Sequence, residues 1–410
     1  MSKQIIWFIS KYNASPPNDG NGSTRVFLTM REMSRQGHHV TIFTSSADPY
    51  AELNTNSKRS ELMIIDNIRI WVLRGLKYKK SISLLRILSW LHFEFCLFRD
   101  YKFEKSRPNV IIVSSPSLLT IINGFYLKRK FKAKLIFEVR DIWPLTMTEE
   151  VGLSRWNPLI YVLGFIEKAA YKYANGIVGT MPNLSQHVEN KLGYNRKVGF
   201  APIGFSDEYY NEQKTLDDSF IRDYIPFNKF LVVYAGTIGS ANALETLFKC
   251  AQILEKNDGE IHFLLVGNGA LLDEYRNKYK HLSNVQFAPK IKKNQIQALL
   301  TYANALYLGA SDSKVWQYGQ SLNKLVDYML SAKPVIASYS GFPTMLNESG
   351  CGIFIPAGNA VLLAQEISRL KDLPIKERIE MGQKGKEWIM ANRKYASIAQ
   401  NYLKYISEVS

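Results

Sequence analysis

Two successive series of short, almost uninterrupted apolar runs, each run followed by a stretch of helical periodicity, constrain this chain more than any other feature. The first series is 5–9, 40–43, 110–113, 135–139 and 176–178; the second is 230–234, 261–266, 285–287, 305–308, 334–337 and 352–355. Strands apolar on both faces suit a parallel sheet covered by helices on both sides. Two such series predict an α/β protein of two doubly wound domains, residues 1–205 and 229–395, with a polar, Pro226-containing linker at 206–228. The pair Asp66-Asn67 predicts an antiparallel hairpin beside the first sheet. Ligands of open parallel sheets sit beyond the C-terminal ends of the strands, so two facing domains of this kind would border a cleft.

The chain has 410 residues, enough for about two to three full cores. Its 52 Lys and Arg against 36 Asp and Glu give a net charge of +16, which calls for an anionic partner: nucleic acid, an acidic membrane surface or a phosphorylated substrate. No recognition helix, zinc finger or RNA-binding motif accompanies that charge, so nucleic acid is not expected. Cys96, Cys250 and Cys351 are far apart and odd in number, which fits a reducing cytosol better than a disulfide framework. Residues 1–9 lack the basic flank and cleavage site of a signal peptide. No Asp-x-Asp triplet occurs and the six His are scattered, so no metal site is expected. The segment from Lys77 to Arg107 sets Leu84, Ile87, Leu88, Leu91, Phe95 and Phe98 on one helical face among Lys and Arg. That pattern suits the surface of an anionic membrane, and equally a helix whose stripe enters the core.

Several loops carry ligand-binding signals. After the first strand, Gly20 and Gly22 can bring backbone close to a ligand or make a simple turn; the spacing is not that of a dinucleotide fingerprint. In the second half, Gly236 and Gly239 follow one strand and Gly267 and Gly269 the next, with Lys290 after the third. The segment Ser321-Leu322-Asn323-Lys324-Leu325-Val326-Asp327 then opens a helix before a Lys-Pro step into a strand. A helix start supplies unpaired N–H groups and a positive dipole end to phosphate oxygens, Lys324 adds a charge, and Asp327 one turn on can accept ribose hydroxyls. An ordinary capped helix before a core strand reads the same way.

The early Gly-Asn-Gly loop, Ser115-Pro116, Glu138-Val139-Arg140-Asp141-Ile142-Trp143-Pro144, Ile166-Glu167-Lys168 with Tyr171, Ala235-Gly236, Gly267-Asn268-Gly269 and the 321–337 segment resemble, over nearly the whole chain, a retaining glycosyltransferase of the GT-B architecture. The likeness is to the glycosyltransferase 4 group, especially its bacterial O-antigen, capsule and exopolysaccharide members. It implies two facing Rossmann-like domains, with acceptor on the first and nucleoside diphosphate sugar, a UDP-sugar, on the second. A last helix, 396–410, would cross back onto the first domain. The donor would be held by Gly22, Gly236, Gly239, Gly267, Gly269, Lys290, Ser321, Asn323, Lys324, Leu325 and Asp327, without a divalent metal. Asp141 and Arg140 would be catalytic, Asp141 at the acceptor hydroxyl. A polyprenyl-diphosphate-linked saccharide is the implied acceptor, met peripherally at the inner face of a bacterial plasma membrane. The sequence departs from the group's Glu-x7-Glu pair, which maps to Gly319 and Asp327, and from its cations after the glycine turn, where Ser240, Ala241, Asn242 and Ala243 stand. A nucleotide-sugar 2-epimerase of similar fold and a basic nucleic-acid-binding protein are the alternatives.

Overall fold

The computed structural model describes residues 2–12, 14, 24–47, 59–78 and 83–409. They divide into two compact units, the first comprising the opening strand, Ser23–Pro202 and Tyr395–Ser410, the second Ile203–Lys394.

In chain order the first unit contains β1 (Ile5–Ile9), α1 (Arg25–Arg35), β2 (His39–Ser45), β3 (Ser60–Ile65), β4 (Ile68–Leu73), α2 (Leu84–Asp100) and β5 (Val110–Ser114). There follow α3 (Thr120–Phe131), β6 (Lys134–Val139), α4 (Leu145–Glu149), α5 (Pro158–Tyr173), β7 (Gly176–Gly179), α6 (Leu184–Leu192) and β8 (Val198–Phe200). The strand order is β3-β4-β2-β1-β5-β6-β7-β8, parallel apart from the antiparallel β3–β4 hairpin. Asp66 and Asn67 at its turn have φ of 50° and 61°, the left-handed pair that a tight two-residue hairpin requires. Alternate side chains serve opposite faces: Ile6 and Phe8 of β1 join the core beneath α1, while Trp7 packs on Phe43 and on Phe131 of α3.

The second unit contains α7 (Asp207–Asn211), α8 (Asp218–Tyr224), β9 (Phe230–Ala235), α9 (Leu244–Asn257), β10 (Ile261–Val266), α10 (Leu272–Tyr279), β11 (Val285–Ala288) and α11 (Ile296–Thr301). It continues with β12 (Ala305–Gly309), α12 (Asn323–Leu330), β13 (Val335–Ser338), α13 (Met345–Ser349), β14 (Gly352–Ile355), α14 (Ala360–Asp372) and α15 (Ile375–Asn392). Its sheet is parallel, ordered β11-β10-β9-β12-β13-β14, so the winding direction reverses between β9 and β12. The stretch 206–228, expected as a linker, instead belongs to this unit. Leu216, Phe220 and Ile225 are buried with Leu231, Val233 and Leu264 of the sheet; three apolar residues scattered among polar ones gave no regular period.

Beyond the second unit, α16 (Tyr395–Glu408) returns to the first, where Ile398, Tyr402, Leu403 and Ile406 are buried beside α1. Lys134 donates to the carbonyls of Ile406 and Val409, at 3.3 and 2.6 Å, placing a cation on the helix's negative end.

Beneath α1 the first unit buries an ion pair. Arg25 grips Glu138 of β6 with two bonds of 3.1 Å and also donates to the carbonyls of Ala201 and Pro202, while Ser114 donates to Glu138 at 2.8 Å. Burial raises the Glu138 carboxyl's pKa, but the charge and hydrogen bonds of Arg25 outweigh it and leave a net depression. Replacing Arg25 with Met strands a buried carboxylate and should cost about 3–5 kcal/mol in urea unfolding, most of it recovered in Arg25→Met/Glu138→Leu. Because the folded pKa is depressed, the wild type's extra stability should be present above the ordinary glutamate pKa and lost as pH falls through the folded value.

Candidate functional site

In the second unit the C-terminal ends of β9 and β10 pass into two loops that continue their pairing. Gly236 N–H donates to Val266 O at 3.0 Å, Ile238 N–H to Asn268 O at 2.9 Å and Leu271 N–H to Ile238 O at 3.2 Å. A Cβ at Gly267 would lie 1.9 Å from the Gly236 carbonyl oxygen, and one at Gly269 would lie 2.1 Å from that of Ile238. These two glycines therefore admit the neighbouring loop; no ligand approach is needed to explain them. Gly236 and Gly239 are different: the nearest atoms to an added Cβ are Tyr234 Oη at 3.2 Å and Thr237 Cγ2 at 3.8 Å, respectively. The Gly239 backbone therefore borders space into which a ligand can come close, whereas a Cβ at Gly236 would already press on Tyr234 and lie 3.6 Å from Lys324 Cε.

Helix α12 is fastened to the end of β9, next to the reversal point of the sheet. Tyr328 Oη accepts from Ala235 N–H at 2.9 Å. One turn earlier, Lys324 Nζ donates to Tyr234 Oη at 3.2 Å and to Asn242 Oδ1, and it lies 4.8 Å from the centroid of the Tyr234 ring. The ammonium end is enclosed, although part of the side chain stays exposed, and burial lowers its pKa to about 7. Leu322, at the cap position, supplies no side-chain acceptor to the first-turn N–H groups. Uncapped N–H groups, a helix dipole and a desolvated cation thus meet beside Gly236, an arrangement suited to a phosphate.

The other donor-site expectations are distributed differently. Ser321 precedes the helix, and its Oγ accepts from Ile203 N–H at 3.0 Å. Asn323 is exposed, Leu325 is buried in the core and Lys290 is exposed beyond β11. Asp327 is buried and ion-paired with Lys293, so it does not share the surroundings of Lys324 as the three-residue spacing suggested. Gly319 has φ of 95°, a left-handed backbone that disfavours the glutamate found there in the resembling group. Its neighbour Gln320 is buried, and neither amide atom has a hydrogen-bond partner. Gly22 lies outside the described residues.

In the first unit, the loop after β6 turns Asp141 onto itself. Trp143 Nε1 donates to Asp141 Oδ2 at 3.0 Å and the Thr146 hydroxyl to Oδ1 at 2.7 Å, which ties the carboxylate to the turn entering α4. Ser115 Oγ accepts from the N–H groups of Arg140 and Asp141, and Arg140 donates to the Tyr12 carbonyl at 3.2 Å. Glu150, which closes α4, is raised to about 7 by burial and by the charge of Asp141. Sequence reasoning missed Glu150, Tyr234, Asn242, Lys293 and Gln320. Only Lys293 carried any signal, as a cation between the third strand and the next helical pattern. Among the described residues, no group of three or more His, Cys, Asp or Glu gathers as a metal site.

The fold and the phosphate-suited loop cluster define a two-Rossmann-unit protein of the GT-B class. Residues 229–372 match the family model described as Glycosyl transferases group 1, and with this domain the chain is a glycosyltransferase. The chain is similar in fold to a sucrose-phosphate synthase from Thermosynechococcus elongatus, at 19% identity and a TM-score of 0.74, with 99% of each chain covered. It is likewise similar to the HepE protein of Anabaena in complex with UDP and glucose, at 13% identity and a TM-score of 0.66, covering 99% of this chain and 100% of that one. A trehalose-6-phosphate structure from E. coli bound with UDP-2-fluoro glucose aligns at 11% identity with a TM-score of 0.74 and 99% of each chain covered. No curated protein matches by sequence.

The buried amide of Gln320 costs the ligand-free protein the hydration of two polar atoms. Gln320→Leu should therefore raise the stability of the donor-free protein by about 1–3 kcal/mol in urea unfolding.

Proposed function

We propose that the protein transfers a sugar, with retention, from a UDP-sugar to a polyprenyl-diphosphate-linked saccharide at a membrane surface, as in surface polysaccharide assembly. The observation that carries the donor half is Lys324, held by neutral partners at the start of α12, where no side chain caps the helix, beside Gly236 and the more open Gly239. Negative charge grows on the leaving diphosphate as the glycosidic bond breaks, and an ammonium and N–H groups already in place stabilise that charge without reorganising. No divalent ion is assigned to this step. The solved relatives named with UDP, UDP-glucose or a UDP-sugar analogue support the nucleotide class. Asp327 and Lys293 lie one turn further on, where opening of their ion pair would release the carboxylate to ribose hydroxyls.

The acceptor half rests on the first unit. The stripe of α2 expected either in the core or at a membrane is solvent-facing: Leu84, Leu88, Leu91, Phe95 and Phe98 are exposed, while Ser89, Trp90, Phe93, Cys96 and Leu97 face inward. Helices α3 and α5 extend this surface with exposed Ile122, Tyr126, Tyr161, Val162 and Phe165. Continuity comes from Phe98 on Tyr126, with ring centroids 5.1 Å apart, and from Phe125 on Tyr173 at 6.5 Å. Exposed Lys102, Arg129, Lys130, Lys168 and Lys172 stand among these residues. Apolar and cationic side chains interleaved over three helices suit the interface of an anionic bilayer. Among the described residues, no helix is long and apolar enough to cross a membrane. Asp141 is assigned to the acceptor hydroxyl and Arg140 to phosphate or to orienting Asp141, on the loop that Trp143 and Thr146 hold in place.

A panel of UDP-sugars, offered with lipid-linked saccharide, with soluble sugar phosphates or with no acceptor, tests the reading. UDP release that requires the lipid-linked acceptor and persists in EDTA is expected. Release that requires only a soluble sugar phosphate would replace the lipid acceptor, and conversion of the sugar without any acceptor would make the protein an epimerase.

Lys324→Ala should weaken UDP binding by about 10- to 100-fold, the worth of one charge-assisted hydrogen bond. With a free-protein pKa of about 7, the lysine is protonated below that pH and neutral above it. UDP affinity measured by calorimetry should thus fall by up to about tenfold per unit as pH rises from about 7.5 to 9, where the diphosphate is already ionised, and Lys324→Ala should flatten that slope. On the acceptor side, Leu88→Gln and Phe95→Gln should each lower partitioning onto anionic vesicles by about tenfold with little change in melting temperature, since both side chains are already exposed.

A further inference from the structure

A cavity of about 340 Å³ in the first unit lies between the segment that follows β4 and one flank of α2, lined by Arg74, Gly75, Leu76, His92, Cys96 and Arg99. We propose that this cavity is a binding site for the phosphate or diphosphate of a membrane lipid, whose chains lie against the exposed apolar stripe of α2. The proposal rests on the membrane-facing reading of that helix and deepens it from a general surface to a particular lipid group.

Helical spacing places the cavity where such a lipid would present its headgroup. His92, Cys96 and Arg99 succeed one another at four and three residues, so they form one row along α2. Leu88 and Phe95, both more than half exposed, form the adjacent row on the solvent side. At 100° per residue the two rows are separated by about 40–60°, one side-chain width on the helix surface. A soluble anion would gain nothing from Leu88 and Phe95 at the rim, whereas an amphiphile matches both rows at once.

The polar side of the cavity is cationic. Arg74 and Arg99 both line it, and Lys11, fully buried behind it, donates to Ser89 Oγ at 2.9 Å; Ser89 in turn donates to the Leu76 carbonyl at 2.6 Å. Asp100 binds one edge of the Arg99 guanidinium through Nε and Nη2, at 2.5 and 2.6 Å, which orients it and leaves Nη1 outside that pair. The field is evident at His92, whose protonation is disfavoured by burial first and then by the charges of Arg99, Lys11 and Arg74. A phosphate entering the cavity would answer those charges, and two guanidinium groups can meet its oxygens with several hydrogen bonds each.

The test compares phosphatidylcholine vesicles doped with phosphatidic acid against vesicles brought to the same surface charge with oleate, and adds glycerol 3-phosphate as a soluble competitor. Wild-type protein should bind the phosphate-bearing vesicles at least about tenfold more tightly than the carboxylate vesicles, with glycerol 3-phosphate displacing it poorly. Arg74→Gln should abolish the preference in protein whose circular dichroism is that of the wild type. Lys172→Gln, on α5, should lower binding to both vesicles alike and keep the preference. Equal affinity for the two vesicles in the wild type, a preference that survives Arg74→Gln, or full displacement by millimolar glycerol 3-phosphate would each overturn the lipid-phosphate site while leaving membrane contact standing. Failure to bind either vesicle would overturn the membrane-facing reading as well.

Discussion

The buried contact between Arg25 and Glu138 sets the conditions for much of the first unit. Taking a guanidinium and a carboxylate out of water costs several kcal/mol per ion, and the loss is offset only when nearly every donor and acceptor is met. Here the requirement is satisfied by parts of the chain far apart in sequence: α1 brings Arg25, β6 brings Glu138, β5 brings Ser114, and the last residues before the second unit bring the carbonyls of Ala201 and Pro202. A displacement of any one of these leaves charge unpaired in the core. The pair therefore fixes how α1 lies on the sheet and where the chain leaves the unit, and that placement in turn holds the loop after β6.

In the second unit the corresponding constraint is backbone contact. Gly267 and Gly269 let two loops lie directly against each other, and Tyr328 fixes α12 to the last amide of β9. Lys324 is carried into position by these contacts and retains only neutral partners. A carboxylate at either partner position would fix its charge in the absence of a ligand; a hydroxyl and an amide leave the ammonium incompletely solvated, so an incoming phosphate restores what burial removed.

Much of the fold could be read from the residues because parallel strands covered on both faces leave long apolar runs that little else produces. The Asp66-Asn67 hairpin was equally clear, since few residue pairs accept two left-handed conformations. β8 escaped because its residues are half-exposed, and the helices at 207–224 because their apolar residues keep no period. At the site, helical spacing put Lys324 and Asp327 on one face, yet Lys293, 34 residues earlier, takes Asp327 for a different contact. Long side chains choose partners in three dimensions, and one-dimensional spacing fixes only where their Cα atoms stand. The stripe of α2 is the reverse case: its pattern was plain, but amphipathicity does not say which face the protein keeps. Small and aromatic residues such as Ser89, Trp90 and Phe93 fit under the helix, leaving the row of leucines outside.

Helix α16 has a consequence for biosynthesis. It supplies Ile398, Tyr402, Leu403 and Ile406 to the core of the first unit, yet lies beyond the whole of the second unit in the chain. While a ribosome is still making residues 203–394, the face of the first sheet that carries Ile6, Phe8, Ile42 and Ile112 has α1 but lacks this last cover. At about 5–20 residues per second that interval lasts from about ten to about forty seconds. The second unit, contiguous in sequence, can close as it emerges, whereas the first must wait as an unfinished intermediate with apolar surface open to chaperones or to another nascent chain.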